Sequence, residues 1–284
     1  MVKILCDSAC DLSADIVKKY NIRVLPCHVL LGETDYLDGV TVTPDQIFAY
    51  VKQNGILPKT SALTPLEVAS VFVEELKDST EDEIICFAMS SGISSTYNNM
   101  RIAAEDTDEK RITVVDSRSL TTALGMLVIE SAVLAQRGAD RQTILDHVEE
   151  IKGKIHCSFV VDTLKYLYMG GRCSAFGAFA GTSLNLHPMV QNENGVLTVK
   201  KKYIGSIDRC VMKYADEIEK NLRNASTERI FLTTSMPDGS PTVEKLKNRL
   251  QAMGLFGEVF CVHAGSLISS HCGPGCLGII YREK

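Results

Sequence analysis

The chain has no tryptophan, and aromatic residues make up only 6% of its 284 residues. It also has no long polar or repetitive stretch, and overall 45% of its residues are hydrophobic and 23% are charged. These proportions exclude a disordered or collagen-like chain and are typical of an aliphatic α/β protein. At about 150 residues per domain, the length predicts two domains.

The sequence lacks an excess of positive charge: 30 Lys and Arg face 35 Asp and Glu, for a net charge of −5. Affinity for nucleic acid comes mainly from neutralised phosphates, so this balance argues against a nucleic-acid partner. The longest apolar run, 124–135, contains Glu130 and is shorter than the about 20 residues that a membrane-spanning helix needs. Residues 1–7 form too short an apolar stretch for a signal peptide. We therefore expect a cytoplasmic protein without a membrane segment.

The ten cysteines show no paired C-x-x-C spacing. A tetrahedral zinc site usually needs two close pairs of ligands, so the scattered Cys and His residues argue against a structural metal. Disulfide frameworks belong mainly to short secreted chains. We therefore expect reduced thiols and neither a metal nor a cofactor.

The hydrophobic pattern predicts a two-domain α/β fold. Residues 1–153 alternate β-branched runs with amphipathic helical stretches, which predicts βαβ units and a mostly parallel sheet. Residues 154–284, with a predicted hairpin at 192–195, indicate an α+β domain. One strand is predicted over 23–31, with Pro26 at an edge or bulge, and one helix over 208–223.

Three polar loops, residues 7–11, 60–65 and 90–97, are placed where secondary structure changes from strand to helix. In open α/β sheets, ligands bind at the carboxyl ends of the strands, where helix N-termini favour anions. The loops 60–65 and 90–97 contain many hydroxyls but no Lys or Arg, and neither GxxxxGK[ST] nor GxGxxG occurs. This set of neutral donors suits one carboxylate better than a triphosphate, although each Ser or Thr alone is as well explained as a helix cap.

His271 precedes a loop with Gly273, Gly275 and Gly278, where the backbone can approach a ligand closely. A lone histidine is more often structural. Together with Asp7 and Ser8 it would also allow a hydrolase triad, but no GxSxG motif is present.

Three further segments have open roles. Gly170-Gly171-Arg172 and Lys200-Lys201-Lys202 carry charges that suit either solvent or a partner. An apolar segment interrupted by glycine suits either the core or the lining of a narrow channel; it includes Ala175, Phe176, Ala178, Phe179, Ala180 and residues 184–186.

Six ordered segments together resemble the DegV family of bacterial fatty-acid-binding proteins, over essentially the whole chain. Each is a weak signal alone, but the set in this order is specific. They are DSACDL at 7–12, KTS at 59–61, SSGISSTY at 90–97, VDS at 115–117, VDTL at 161–164 with GGR at 170–172, and His271 followed by GPG at 273–275.

The resemblance implies a DegV-like fold that encloses one long-chain fatty acid, about C14–C18, in an apolar tunnel between its two domains. The carboxylate would be held by hydroxyls and by a histidine that could be protonated. The residues carried over are Thr60, Ser61, one of Ser91 and Ser94, His271 and Gly273.

In similar proteins the bound acid is presented to a separate ATP-dependent fatty-acid kinase, which forms acyl phosphate for phospholipid synthesis. The protein is then a carrier and not itself an enzyme. We expect the kinase subunit to dock at Arg172 and Lys202.

Two loops depart from the family pattern. The usual TSQPS/TP is TSALTP at 60–65, and the usual SGTY is SSTY at 94–97. Both changes lie near the expected head group and leave the donor and the preferred chain open. Two alternatives remain: a serine-dependent acyl hydrolase using Ser8 or a serine of 90–94 with His271, and a regulator that binds a nucleotide or sugar phosphate.

Overall fold

The structure is a computed structural model that describes residues 1–173 and 185–284. Most of the apolar segment considered as a channel lining, 174–184, lies outside the described residues. No helix in the described part of the chain is long and apolar enough to cross a membrane.

The N-terminal part, residues 1–153, alternates strands and helices. Its strands are β1 (Val2–Asp7), β2 (Arg23–Leu25), β3 (His28–Leu31), β4 (Thr34–Leu37), β5 (Lys59–Ser61), β6 (Glu83–Ala88) and β7 (Ile112–Asp116). Its helices are α1 (Ala14–Tyr20), α2 (Pro44–Asn54), α3 (Pro65–Leu76), α4 (Thr96–Asp108), α5 (Thr121–Gln136) and α6 (Arg141–Lys152).

The described C-terminal part begins at β8 (Ile155–Val160) and α7 (Lys165–Met169). Its other strands are β9 (Leu186–Glu193), β10 (Val196–Ile204), β11 (Ala225–Thr234), β12 (Glu258–His263) and β13 (Leu277–Glu283). Its other helices are α8 (Ile207–Ile218), α9 (Pro241–Ala252) and α10 (Ser266–Cys272).

Three sheets form the described part of the fold. The first, in the order β2-β1-β6-β7, is entirely parallel. The second, β10-β9-β8-β13-β11-β12, is antiparallel except for the β11–β12 pair. The third, β4-β3-β5, is a small antiparallel sheet. The predicted α/β fold class, with a parallel N-terminal sheet, is confirmed; the domain boundary at 153 stays a prediction.

Helix α5 joins the two parts through a shared core. It is apolar around its whole circumference, and Leu124, Leu127 and Ile129 are fully buried, as expected for a helix with protein on every side. It contacts β1 and β6 on the parallel sheet and β8, β11 and β13 on the second sheet. One hydrophobic cluster therefore runs from β1 through α5 to Phe231 and Ile280.

Several helix starts follow from local sequence. Thr43 and Thr64 each cap a helix with a reciprocal hydrogen bond to Gln46 or Glu67, and a proline follows each threonine. Side-chain caps of this kind satisfy backbone N–H groups that have no partner within the helix.

The structure corrects two of the predicted elements and adds three short ones. The strand predicted over 23–31 is broken at Pro26, which has no N–H for a sheet, so that β2 and β3 lie in different sheets. The helix predicted over 208–223 ends at Ile218 and a short 3-10 turn follows. The unpredicted β4, β5 and α10 are too short to leave a periodic pattern in the sequence.

Candidate ligand-binding site

A cavity of about 310 Å³ lies between the two parts of the fold. Its size falls within the range of about 300–1,000 Å³ found for small-molecule sites. Most of the wall is apolar and comes from both parts; it includes Met89, Ile93, Leu120, Phe159, Leu167, Leu197, Leu267, Ile268 and Ile280.

Polar side chains gather where this cavity adjoins an open surface groove. Ser94 and Arg172 line both spaces, as do Ile93, Ser95 and Leu197. Thr60, Ser61 and His271 line the cavity. The structure thus combines a mainly apolar wall with several hydrogen-bonding side chains, of which Ser94 and Arg172 also line the groove.

Thr60 and His271 form the central polar pair of the site. Thr60 Oγ1 lies 2.8 Å from Nε2 of His271. Thr60 belongs to β5, where it pairs with Val29 of β3, and His271 lies in the last turn of α10. A Cβ atom at Gly170 would overlap Nδ1 of the imidazole, so this position leaves space only for glycine beside the ring.

His271 is neutral near pH 7. Burial, together with the smaller effect of the positive charge of Arg172, lowers the pKa of His271 from 6.5 to about 4. A protonated His271 beside a bound carboxylate stays a prediction. A neutral imidazole still carries one donor and one acceptor.

The two candidate serines of the 90–94 loop have different surroundings. Ser94 lines the cavity, and its Oγ lies 2.8 Å from Oγ1 of Thr96. Ser91 instead donates its hydroxyl to Asp116 at 2.6 Å and lines the open groove rather than the cavity. Ser94, and not Ser91, therefore shares the cavity lining with Thr60 and His271.

Gly273 lies behind the polar group rather than on the cavity wall. Its φ of +72° is in the left-handed region, and a Cβ there would come within 2.6 Å of the Tyr166 ring. Its carbonyl accepts a hydrogen bond from Ser235 at 2.6 Å. Close packing accounts for this glycine.

The structure separates the two residues expected to dock a partner. Arg172 is partly buried at the cavity, where Nε donates to the Ile93 carbonyl at 3.2 Å and Nη1 donates to the Gly170 carbonyl. Lys202 is exposed on β10. The hydroxyl loops themselves contain no Lys or Arg, and Arg172, which lies far from loop 60–65 along the chain, adds a positive charge to the cavity lining.

Four cavity residues with hydroxyl or thiol side chains were not singled out from the sequence. Three are the hydroxyl residues Thr121, Thr233 and Thr234, and the fourth is Cys27. Thr121 has a φ of +51°, which is unusual for a β-branched residue, and backbone strain of this kind leaves no trace in a single sequence.

The described residues do not support the hydrolase alternative. Such a mechanism needs a serine that donates to the histidine, yet Ser8 donates to Asp38 and Ser91 donates to Asp116. The hydroxyl beside His271 is that of Thr60. Across residues 1–173 and 185–284, no group of three or more His, Cys, Asp and Glu side chains is placed to hold a metal ion.

Comparison with known proteins gives consistent matches along the whole chain. A family model described as uncharacterised protein, DegV family, matches residues 1–284. A DegV domain-containing protein of Caldanaerobacter subterraneus is 31% identical over 283 residues, which cover 100% of this chain and 99% of that protein.

Solved structures agree in fold. The structure described as fatty acid binding of a DegV family protein from Thermus thermophilus has a TM-score of 0.89 and 29% identity, covering 100% of this chain and 99% of the other. A structure described as DegV, a fatty acid binding protein from Bacillus subtilis, has a TM-score of 0.86, 25% identity and the same coverage.

Proposed function

Because the chain belongs to the DegV family, we propose that it binds one long-chain fatty acid in the cavity between its two parts. The observation that carries this proposal is a mainly apolar cavity that also holds the polar side chains Thr60, Ser94 and His271 and adjoins an open groove at Ser94. The apolar wall suits an acyl chain, and the polar side chains suit its carboxylate.

The energetics favour such a ligand. Each buried CH₂ contributes about 0.8 kcal/mol, so an acyl chain of about C14–C18 has a large driving force for leaving water. A carboxylate cannot be buried without hydrogen bonds. We assign these to Thr60, Ser94 and His271, with Ser61 beside them. The negative charge of the ligand would raise the pKa of His271 and strengthen this contact.

The proposal extends to a kinase partner. A bound carboxylate at the edge of the groove can attack the terminal phosphorus of ATP, forming a C–O–P linkage while the bond to ADP breaks and ADP leaves. We propose that a separate kinase subunit supplies ATP, with Lys202 in the docking surface and Arg172 at the carboxylate end of the ligand. All ten cysteines are free thiols, which favours the reducing cytoplasm as the site of action.

Native mass spectrometry of the purified protein, followed by solvent extraction, tests the binding proposal. We expect one fatty acid per chain, and the extracted mass gives its length. A protein that stays empty after incubation with palmitate, stearate and oleate would refute the proposal. Labelling by a fluorophosphonate would favour the hydrolase, and a phosphate ligand in the extract would favour the regulator.

A pair of variants tests the assignment of the donors. Ser94→Ala removes a hydroxyl from the cavity, and we expect palmitate affinity to fall about tenfold or more. Ser91→Ala removes a hydroxyl of the same loop that is bound to Asp116, and we expect an effect of at most about twofold. The reverse order would show that Ser91 is the donor.

The kinase role has its own test. Arg172→Ala and Lys202→Ala are compared for palmitate binding and for acyl-phosphate formation with an ATP-dependent fatty-acid kinase subunit. We expect both variants to lose acyl-phosphate formation, and Lys202→Ala to keep palmitate affinity. Unchanged turnover in both variants would remove these residues from the kinase reaction.

A further inference from the structure

Helix α10 connects the candidate site to a buried acidic pair on the opposite part of the fold. Four residues of this seven-residue helix, Leu267, Ile268, His271 and Cys272, line the cavity. The helix belongs to the C-terminal part, yet it contacts α2, β3 and β5 of the N-terminal part. Its position therefore determines both one wall of the cavity and the location of His271.

Two aspartates of the N-terminal part accept the first free N–H groups of α10. Asp11 Oδ1 accepts from Gly265 N at 2.8 Å, and Asp38 Oδ1 accepts from Ser266 N at 2.6 Å. Both carboxyl groups are buried, with Asp11 7% and Asp38 4% exposed. Each oxygen satisfies a backbone N–H group that has no partner within the helix.

The second oxygen of each aspartate is also held. Asp11 Oδ2 accepts from Thr121 Oγ1 at 2.6 Å, and Asp38 Oδ2 accepts from Ser8 Oγ at 2.7 Å. Thr121 itself lines the cavity. Each carboxyl group thus links the start of α10 to a hydroxyl of the N-terminal part, and we call Asp11 and Asp38 the α10 clamp.

A small movement at the clamp has a large effect at the imidazole. At 1.5 Å per residue, Ser266 and His271 are about 7.5 Å apart along the helix axis, so a tilt of about 10° moves the ring by about 1.3 Å. The Thr60–His271 distance of 2.8 Å would then pass beyond the reach of a hydrogen bond.

We propose that Asp11 and Asp38 are positioning residues that place His271 against Thr60 and against the ligand carboxylate. The inference rests on the proposed function for its ligand, but its geometry is a property of the protein alone. Removal of either carboxyl group should therefore displace the imidazole even when no fatty acid is bound.

The test compares Asp38→Ala, Asp38→Asn and Ser8→Ala with Glu130→Gln as the control. Glu130 forms a buried ion pair with Arg229, which also links the two parts but lies outside the cavity lining. Three quantities are measured on delipidated protein: the pKa of His271 by NMR titration of its ring, the dissociation constant for palmitate, and the midpoint of thermal unfolding.

In Asp38→Ala we expect the pKa of His271 to rise from about 4 toward its usual range, because the displaced ring gains contact with water, and palmitate affinity to fall about tenfold or more. Asp38→Asn keeps an oxygen acceptor, so its His271 pKa and its palmitate affinity should stay close to those of the wild type. Ser8→Ala should change the His271 pKa and the palmitate affinity in the same direction as Asp38→Ala but by less. It provides the test if Asp38→Ala does not fold. Glu130→Gln should lower the midpoint of thermal unfolding and leave the His271 pKa and the palmitate dissociation constant unchanged.

If the pKa of His271 stays near 4 in both Asp38→Ala and Ser8→Ala, or shifts equally in Glu130→Gln, the positioning role is refuted. A wild-type protein that does not bind palmitate would refute the proposed function. The titration of His271 would still decide the role of the clamp.

Discussion

The neutral state of His271 predicts that acidification destabilises the protein. Its pKa is about 4 in the folded protein against a usual 6.5, because burial disfavours the charged ring. Between these two values the unfolded chain binds more protons than the folded one, so stability is lost as the pH falls through this window. Replacement by Gln, which does not titrate, should remove this contribution.

The magnitude follows from the two pKa values. At pH 7 the ring is mostly neutral in both states, and its protonation lowers the free energy of unfolding by only about 0.2 kcal/mol. At pH 5 the unfolded ring is almost fully protonated while the folded ring is still mostly neutral, and the loss reaches about 2 kcal/mol. Between pH 7 and pH 5, the free energy of unfolding of His271→Gln should therefore fall by about 2 kcal/mol less than that of the wild type.

Urea unfolding of delipidated protein at both pH values measures this difference. Every other titratable group is present in both proteins, so its contribution cancels in the comparison. Thr60→Val serves as the control, because it removes the hydrogen-bond partner of His271 but keeps the ring; it should lower stability at both pH values and retain the wild-type pH dependence. Parallel pH dependences for wild type and His271→Gln would refute the assignment of a neutral, buried imidazole.

Three further predictions concern packing and charge. Gly170→Ala should weaken palmitate binding about tenfold or more in a titration, because its Cβ overlaps the His271 ring, whereas Gly153→Ala, with open space around the new methyl, should not; equal affinities would contradict this. Phe72→Ala should cost about 3–5 kcal/mol in urea unfolding, since Phe72 is fully buried, and a loss below about 1 kcal/mol would contradict its core position. Burial raises the pKa of Asp7 from 3.8 to about 7, so the free energy of unfolding should fall as the pH rises between these two values. Asp7→Asn should remove up to about 4 kcal/mol of this pH dependence in urea unfolding. An unchanged dependence of stability on pH in this variant would refute the prediction.

Local sequence patterns were sufficient for much of the fold. The β-branched runs that form β1, β6 and β7 predict the parallel sheet, because they are buried on both faces. The same kind of pattern predicts a helix over 122–137 that stops at Gly138, and α5 matches it within one residue at each end. These features depend on neighbours along the chain, which the sequence displays directly.

The polar residues of the site were also accessible from sequence, but their roles were not. Motif resemblance pointed to Thr60, Ser94 and His271, and it pointed equally to Ser91 and Gly273. The hydrogen bond from Ser91 to Asp116 and the packing of Gly273 on Tyr166 depend on how the loops turn. Hydroxyl count in a loop does not determine which oxygen faces a cavity.

By itself the sequence determined the α/β class, the parallel N-terminal sheet and the polar loops, because periodicity, caps and turn residues act over a few positions. Tertiary structure alone decided that Thr60 meets His271 across 211 residues and that Asp11 meets Gly265 across 254. It also decided the charge of His271, because burial and the nearby Arg172 set its pKa. Contacts of this kind exist only after separate elements have packed around a common core, so no local pattern in the chain records them.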